Sequence, residues 1–440
     1  MTDTVYFKTF GCKLNQTETA SIAKDFQDQG YRIVSEIQDA DVFVINSCTV
    51  TNRSDAKCRQ SIRHVMKVNP HATVIIVGCY AQVASEAIAR IPGVDYILGT
   101  YEKSRVFDYF QRAGKLSYPE IVVTPVDRLQ RIDYYGMGFS HQTRAFLKIQ
   151  DGCNHRCAYC IVPFARGPSR SLPVKDIIQQ AKQLVEKGYQ EIVLTGVHIG
   201  QYGRDFNRHF SLPTLLYQLF QVQEIKRIRI TSLDPEDITD ELLGVVSGEK
   251  RFCRHFHIPL QSGSNAILAS MRRRYTITVF REKVEKIITA FGHIGLGTDI
   301  IAGFPGETDD LFEETVRFVN GVPFSYLHVF PFSARSGTEA VNLPDQINPQ
   351  IRAERAIKLR QLGERKKRQF MESWIGQVVD VLLESRNQMG WMGGFSSEYL
   401  RIEVPYQDIL RRRLVSVKIQ EVMRNSVRGE IVDGIIRKTD

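Results

Sequence analysis

Three cysteines stand close together in the middle of the chain, in Cys153-Asn-His-Arg-Cys157-Ala-Tyr-Cys160, directly after the β-type run RAFLKIQ. Three thiolates at this C-x3-C-x2-C spacing can hold three irons of a 4Fe-4S cube and leave the fourth iron without a protein ligand, open to another molecule. Zinc competes for such a loop, but structural zinc takes four ligands, and His155 lies too near its neighbours along the chain for an easy tetrahedral geometry. Cys12, Cys48 and Cys79 each end a hydrophobic run, in YFKTFGC, VFVINSC and VIIVGC. In a parallel α/β sheet the carboxyl ends of the strands open on one crevice, so thiols far apart in sequence can converge there. Gly11 and Gly78 would let the backbone approach a bulky group closely. Three buried structural cysteines remain the other reading, and Cys58 and Cys253, outside both groups, read as structural or incidental.

The elements that must position these residues follow from hydrophobic patterning. Over the first hundred residues, β-branched runs (TVYFKTF, VFVIN, TVIIV, VDYIL) alternate with helical stretches, which predicts an α/β domain with a parallel sheet over residues 1–115. Pro119, Pro125, Gly136 and Gly138 mark 116–143 as a linker. A second alternating series, RAFLKIQ, EIVLT, IKRIRIT, HFHIP, GLGTDII and FSYLHVF, predicts a partial or complete (α/β) barrel within 144–371. Residues 372–440 hold short strands without intervening helices, the pattern of a small β-barrel.

The 440 residues, 43% apolar and 24% charged, have the composition of a globular protein, and no apolar stretch approaches the roughly 20 residues of a membrane helix. The first residues lack a basic segment followed by an apolar one, so a cytoplasmic protein without membrane association is expected. Eight cysteines are too sparse for a disulfide scaffold, which favours thiols or metal ligands in a reducing compartment. Of a net charge of +9, the segment 350–371, with eight basic residues and two glutamates, carries +6 and reads as a basic helix.

The cysteine loop, with aromatic Tyr159 just before its last cysteine, resembles the radical S-adenosylmethionine (SAM) enzymes. The resemblance implies that SAM chelates the open iron and that electron transfer cleaves it to a 5′-deoxyadenosyl radical, with an external electron donor. The frames FKTFGCKLNQTE, NSCTVT, VGCYAQ, RAFLKIQDGCNHRCAYCIVPFARGPSRS, LTGVHIGQYG, HIPLQSGSNAILASMRRRY and DIIAGFPGET resemble the methylthiotransferases, a radical SAM subfamily, from residue 5 to about 335. This second resemblance implies a further 4Fe-4S cluster on Cys12, Cys48 and Cys79, and SAM contacts at Tyr159, Gly196, Ser232, Gln261 and Phe304. GCKLNQTE and RAFLKIQDGCN are most similar to the subfamily acting on N6-threonylcarbamoyladenosine in the tRNA anticodon loop. An isopentenyladenosine enzyme and a ribosomal-protein aspartate enzyme are the alternatives within the family, and an iron-sulfur RNA-binding protein is the non-enzymatic one. The tail resembles a TRAM domain, a small RNA-binding barrel, except that Arg411, Arg412 and Arg413 replace the glycine expected before LVSV. These arginines, with Lys366, Lys367 and Arg368, are the expected phosphate contacts of a monomeric enzyme on tRNA.

Overall fold

The computed structural model describes residues 3–111, 114–130, 132, 143–206, 210–386 and 390–432. Gly136 and Gly138 lie outside them.

The first sheet has six strands, all parallel, in the order Arg32–Ile33, Thr4–Thr9, Val42–Ser47, Thr73–Gly78, Tyr96–Leu98 and Glu120–Val122. Val42–Ser47 and Thr73–Gly78 are buried along their whole length, as central strands covered on both faces by helices must be. The last strand comes from the segment read as a linker: between Pro119 and Pro125 three residues pair along Tyr96–Leu98 as an edge, where flanking prolines cost no ladder bond.

All six strands expected in the second region are present. Ala145–Lys148, Glu191–Thr195 and Arg227–Ile230 pair in parallel, as do His255–His257, Gly295–Ala302 and Tyr326–Pro331. A parallel bridge from Ile228 to Phe252 joins the two halves. Strand order therefore follows chain order, and among the described residues the first and last strands are not paired with each other, which leaves a barrel open along one side. Amphipathic helices such as Val174–Glu186 and Ile277–Phe291 bury Ile177, Leu184, Phe280 and Ile287 against its outer face.

The basic helix runs from Pro349 to Glu372, and its apolar residues Ala356, Leu359 and Leu362 join the core beneath. Beyond it a closed five-stranded barrel, ordered Val378–Arg386, Trp391–Ser396, Arg401–Pro405, Val427–Ile431 and Leu414–Val422, encloses Val381, Leu383, Met392, Ile402 and Val417. Arg412, in the run that replaces the expected glycine, has φ +58°, so the left-handed turn survives with a residue that resists it. The small barrel docks through Arg227, whose guanidinium donates to the carbonyls of Asp380 and Phe395, and Arg229, which donates to those of Ser396 and Ser397.

Candidate active site

The cysteine loop leaves the first barrel strand at the carboxyl end, where barrel active sites form. Its backbone is pinned at both ends: the Cys153 amide donates to the Gly167 carbonyl at 3.0 Å and the Ala158 amide to that of Met271 at 3.0 Å. Around the thiols stand donors. Arg273 Nη1 lies 3.4 Å from Cys157 Sγ, and His198 Nδ1 3.7 Å from Cys153 Sγ. Arg273 also meets Asp234 at 2.6 Å, His155 Nδ1 lies 3.3 Å from Asp234, and His198 Nε2 lies 2.5 Å from Asp237.

Burial pushes the Cys160 thiol up to about 12, and raises Cys157 in spite of Arg273. Such thiols resist ionisation until a coordinating cation offsets the cost. Burial disfavours charge on His198, yet its bonds to Asp237 and Cys153 push it up to about 10 and make it a donor. Among the described residues, His155 Nε2 is buried without a hydrogen-bond partner. The donor atoms of Cys153, His155 and His198 lie within 4.8 Å of one another, a set zinc could also use, but zinc there leaves Cys157 and Cys160 without a role. Three thiols ringed by a guanidinium and imidazoles fit a thiolate-held iron-sulfur cluster and its sulfur-directed hydrogen bonds.

The second set is assembled by the first sheet. Cys48 follows Val42–Ser47, Cys79 follows Thr73–Gly78, and Cys12 caps the helix Lys13–Asp28 just after Thr4–Thr9; these are three adjacent strands. Burial raises the Cys48 thiol to about 11, with further upward pushes from Cys79 and Cys12. Gly11, at φ +105°, has no room for a side chain: a Cβ there would lie 2.6 Å from Cys48 Cβ and 2.9 Å from its Sγ. Cys58 and Cys253 are fully buried, pushed up to about 12 chiefly by that burial, and sit outside both sets.

A buried ionic cluster joins the two sets, and nothing in the local sequence announced it. Glu18 receives Lys103 at 2.6 Å, Lys148 at 3.0 Å and Arg166 at 3.0 Å, while Asp151 receives Lys148 at 2.8 Å and Arg166 at 2.9 Å. Burial opposes the charge on Glu18, but Arg166, Lys103 and Lys148 hold its carboxyl well below the usual carboxylate range. With Arg170, 4.0 Å from Asp151, four cations face two carboxylates, and Lys103 and Arg166 interact electrostatically with Cys79. Asp151 stands two residues before Cys153 and Glu18 lies on the helix that starts after Cys12, so one cluster of charges links the elements that carry the two cysteine sets.

The other expected residues fare differently. A Cβ on Gly196 would lie 2.8 Å from the Gln150 carbonyl, and Gln150 Oε1 accepts the amides of Val197 and His198 at 3.0 and 2.8 Å, so this turn is pressed against the cysteine loop. Ser232 is half-buried just past the strand Arg227–Ile230. Gln261 has φ +62° and pairs by its backbone with Asp299 and Ile301. Phe304 corrects the expectation of a cofactor contact: it is 0% exposed, packed with Ala158, Tyr159 and Phe332, and supports the cysteine loop from beneath. The Tyr159 ring joins the same packing, edge-on to Phe304.

Lys366 also corrects the sequence reading. It is buried, and its Nζ donates to the carbonyls of Asn320 and Val322 at 2.9 and 2.7 Å, capping the end of a neighbouring helix rather than facing solvent. Lys367 donates to Asn425, Arg368 and Arg411 are exposed and paired with Glu372 and Asp408, and Arg412 and Arg413 are exposed. A cavity of 630 Å³ lies between the strand Tyr326–Pro331, the basic helix and the small barrel, lined by Phe330, Arg360, Lys367, Phe370, Phe395 and Tyr399 among others. Its residues come from three elements, so no motif marked it.

Residues 4–99 match the family described as uncharacterized protein family UPF0004, and residues 147–319 match the radical SAM superfamily. The chain is 38% identical to the threonylcarbamoyladenosine tRNA methylthiotransferase of Bacillus subtilis (strain 168), over 94% of this chain and 93% of that protein. It is 37% identical to the protein of the same name from Aquifex aeolicus (strain VF5), over 88% and 94%. It is 32% identical to a tRNA-2-methylthio-N(6)-dimethylallyladenosine synthase of Thermodesulfovibrio yellowstonii, over 97% and 98%. Among solved structures, the radical SAM methyltransferase TsrM from Kitasatospora setae shares the fold at a TM-score of 0.53 and 12% identity, over 74% of this chain and 72% of that one.

Proposed function

This chain belongs to the radical SAM methylthiotransferase family, and we propose that it methylthiolates C2 of N6-threonylcarbamoyladenosine beside the tRNA anticodon, at position 37, with two 4Fe-4S clusters. What supports the reading is that the two cysteine triplets stand on elements joined by the buried charges of Glu18, Asp151, Lys103, Lys148 and Arg166.

When bound, the clusters and SAM supply the one-electron chemistry, the sulfur and the methyl group, with electrons from an external donor. Cys153, Cys157 and Cys160 would hold the SAM-binding cluster, and Cys12, Cys48 and Cys79 the second. Arg273 and His198 donate toward the loop thiols. Gln150 fixes the Gly196 turn against the loop, which supports SAM there. The aromatic and basic cavity offers stacking faces and cations suited to an unstacked anticodon-loop base, with Lys367, Arg368, Arg411, Arg412 and Arg413 as phosphate contacts. No helix among the described residues is long and apolar enough to cross a membrane, and we take the enzyme to work in the cytoplasm as a monomer.

The isopentenyladenosine reading stays second because a relative of that name matches 97% of the chain. Mass spectrometry of nucleosides from total tRNA, with and without the gene, decides between them. Loss of the methylthio form of threonylcarbamoyladenosine alone, with its precursor accumulating, is the expected result; loss from the isopentenyl nucleoside instead would overturn the substrate assignment.

A further inference from the structure

Lys13 directly follows Cys12 and opens the helix Lys13–Asp28, whose first turn holds no acidic residue. A cation at a helix N-terminus opposes the helix dipole, so helix stability is no reason for a lysine there. Its Nζ lies over the ring of Tyr399, 5.6 Å from the centroid, and among the described residues no acidic side chain pairs with it.

Most charged groups around it have partners, although Glu384 serves both Arg144 and Arg401, Glu191 serves both Arg227 and Arg229, and Glu398 Oε2, beside Tyr399, is buried with no hydrogen-bond partner among the described residues. Arg144 meets Glu384 at 3.1 Å, Arg229 meets Glu191 at 2.7 Å, and Asp299 is held by His257 and His328 at 3.0 and 3.1 Å. Tyr399 has φ +69°, a backbone conformation a bulky side chain adopts only when its surroundings enforce it. The same ring packs on His255, Tyr326 and Phe395 and lines the 630 Å³ cavity. Lys13 thus places a half-buried, unmatched ammonium between that cavity and the dispersed cysteine set.

We propose that Lys13 is a specificity-determining residue that binds the carboxylate of the threonylcarbamoyl group. The inference rests on the substrate reading above and deepens it. The threonylcarbamoyl group ends in a carboxylate, whereas an isopentenyl group carries no charge. C2 and the carbon bearing N6 flank the same ring nitrogen of adenine, so a base presenting C2 to the dispersed set brings its N6 substituent toward the residues beside Cys12. An ammonium partly shielded from water and held over an aromatic face makes a strong charge-assisted bond to a carboxylate, and finds no counterpart in an apolar substituent.

The test uses anaerobically reconstituted full-length enzyme and two anticodon stem-loop RNAs, one with threonylcarbamoyladenosine and one with its threonyl carboxylate converted to the amide. Binding is read by fluorescence anisotropy without reductant, and KM by methylthiolation. Wild type is expected to prefer the acid RNA about tenfold to a hundredfold, Lys13→Gln to lose that preference by weakening the acid RNA alone, and Lys13→Arg to keep most of it, with iron content and cluster EPR unchanged. Absence of a preference in wild type, or equal weakening of both RNAs by Lys13→Gln, would overturn the proposal. Wild type that methylthiolates isopentenyl RNA and ignores the acid RNA would overturn the substrate reading itself, a result recognisable before any variant is made.

Discussion

Cys153, Cys157 and Cys160 sit within eight consecutive residues of one loop, whereas Cys12, Cys48 and Cys79 are gathered from three neighbouring strands of a sheet. The loop set owes its geometry to local chain closure and a few backbone bonds, and its charge setting to Arg273, His198 and Asp234. The dispersed set owes its geometry to the register of Thr4–Thr9, Val42–Ser47 and Thr73–Gly78, and its charge setting to cations brought from Lys103 and Arg166. Two sites of the same thiol chemistry can thus be built by short-range and by long-range means, and they should fail differently.

The largest effect expected is the split between them. Cys157→Ala should bring 5′-deoxyadenosine formation to background by liquid chromatography, while Cys48→Ala should abolish methylthiolation and leave uncoupled SAM cleavage. Each should lower iron from about eight to about four atoms per chain. Persistent SAM cleavage in Cys157→Ala would break the comparison.

Next in size is the cluster of charges that joins the sets. Glu18→Gln leaves Lys103, Lys148 and Arg166 with a single buried carboxylate, Asp151, and should cost about 3–5 kcal/mol in denaturant unfolding. The pH dependence has a definite sign. The folded-state pKa of Glu18 is depressed, so its stabilisation is full above the ordinary carboxylate value of about 4.3 and is lost as pH falls from there toward the folded value. Asp151, also depressed, acts in the same direction. Wild-type stability should fall below about pH 4, and Glu18→Gln should flatten that fall.

Gly11→Ala should be smaller, about 1–3 kcal/mol, because its Cβ meets Cys48 and its φ is +105°. It sharpens the comparison if iron is lost only from the dispersed set. Arg273→Ala is expected to weaken the loop set alone, by about tenfold to a hundredfold in iron affinity, through loss of its bond toward Cys157.

Much of the fold was readable in the chain because β-branched runs and amphipathic stretches carry their own periodicity. All six barrel strands lie where their hydrophobic runs are, and the small terminal barrel follows its own runs. Glu120–Val122 escaped because three residues between prolines have no period to read. Lys366 was misjudged because a basic run does not reveal which lysine turns inward, and its helix register presents it to the carbonyls of Asn320 and Val322. Phe304 was misjudged because an apolar residue beside a loop can line a pocket or lie beneath it.

The sequence by itself determined the loop triplet and its spacing, the three strand-ending cysteines, the α/β periodicity and the surplus charge of 350–371, all of which are local patterns. Only the tertiary structure decided that Glu18 meets Arg166 across 148 positions, that Arg335 reaches Asp55 beside the dispersed set, and that Lys13 lies over Tyr399. The reason is physical. A buried charge is tolerated only with its partners in place, those partners can come from anywhere in the chain, and no local pattern records which strand ends and helix starts the packing will bring together.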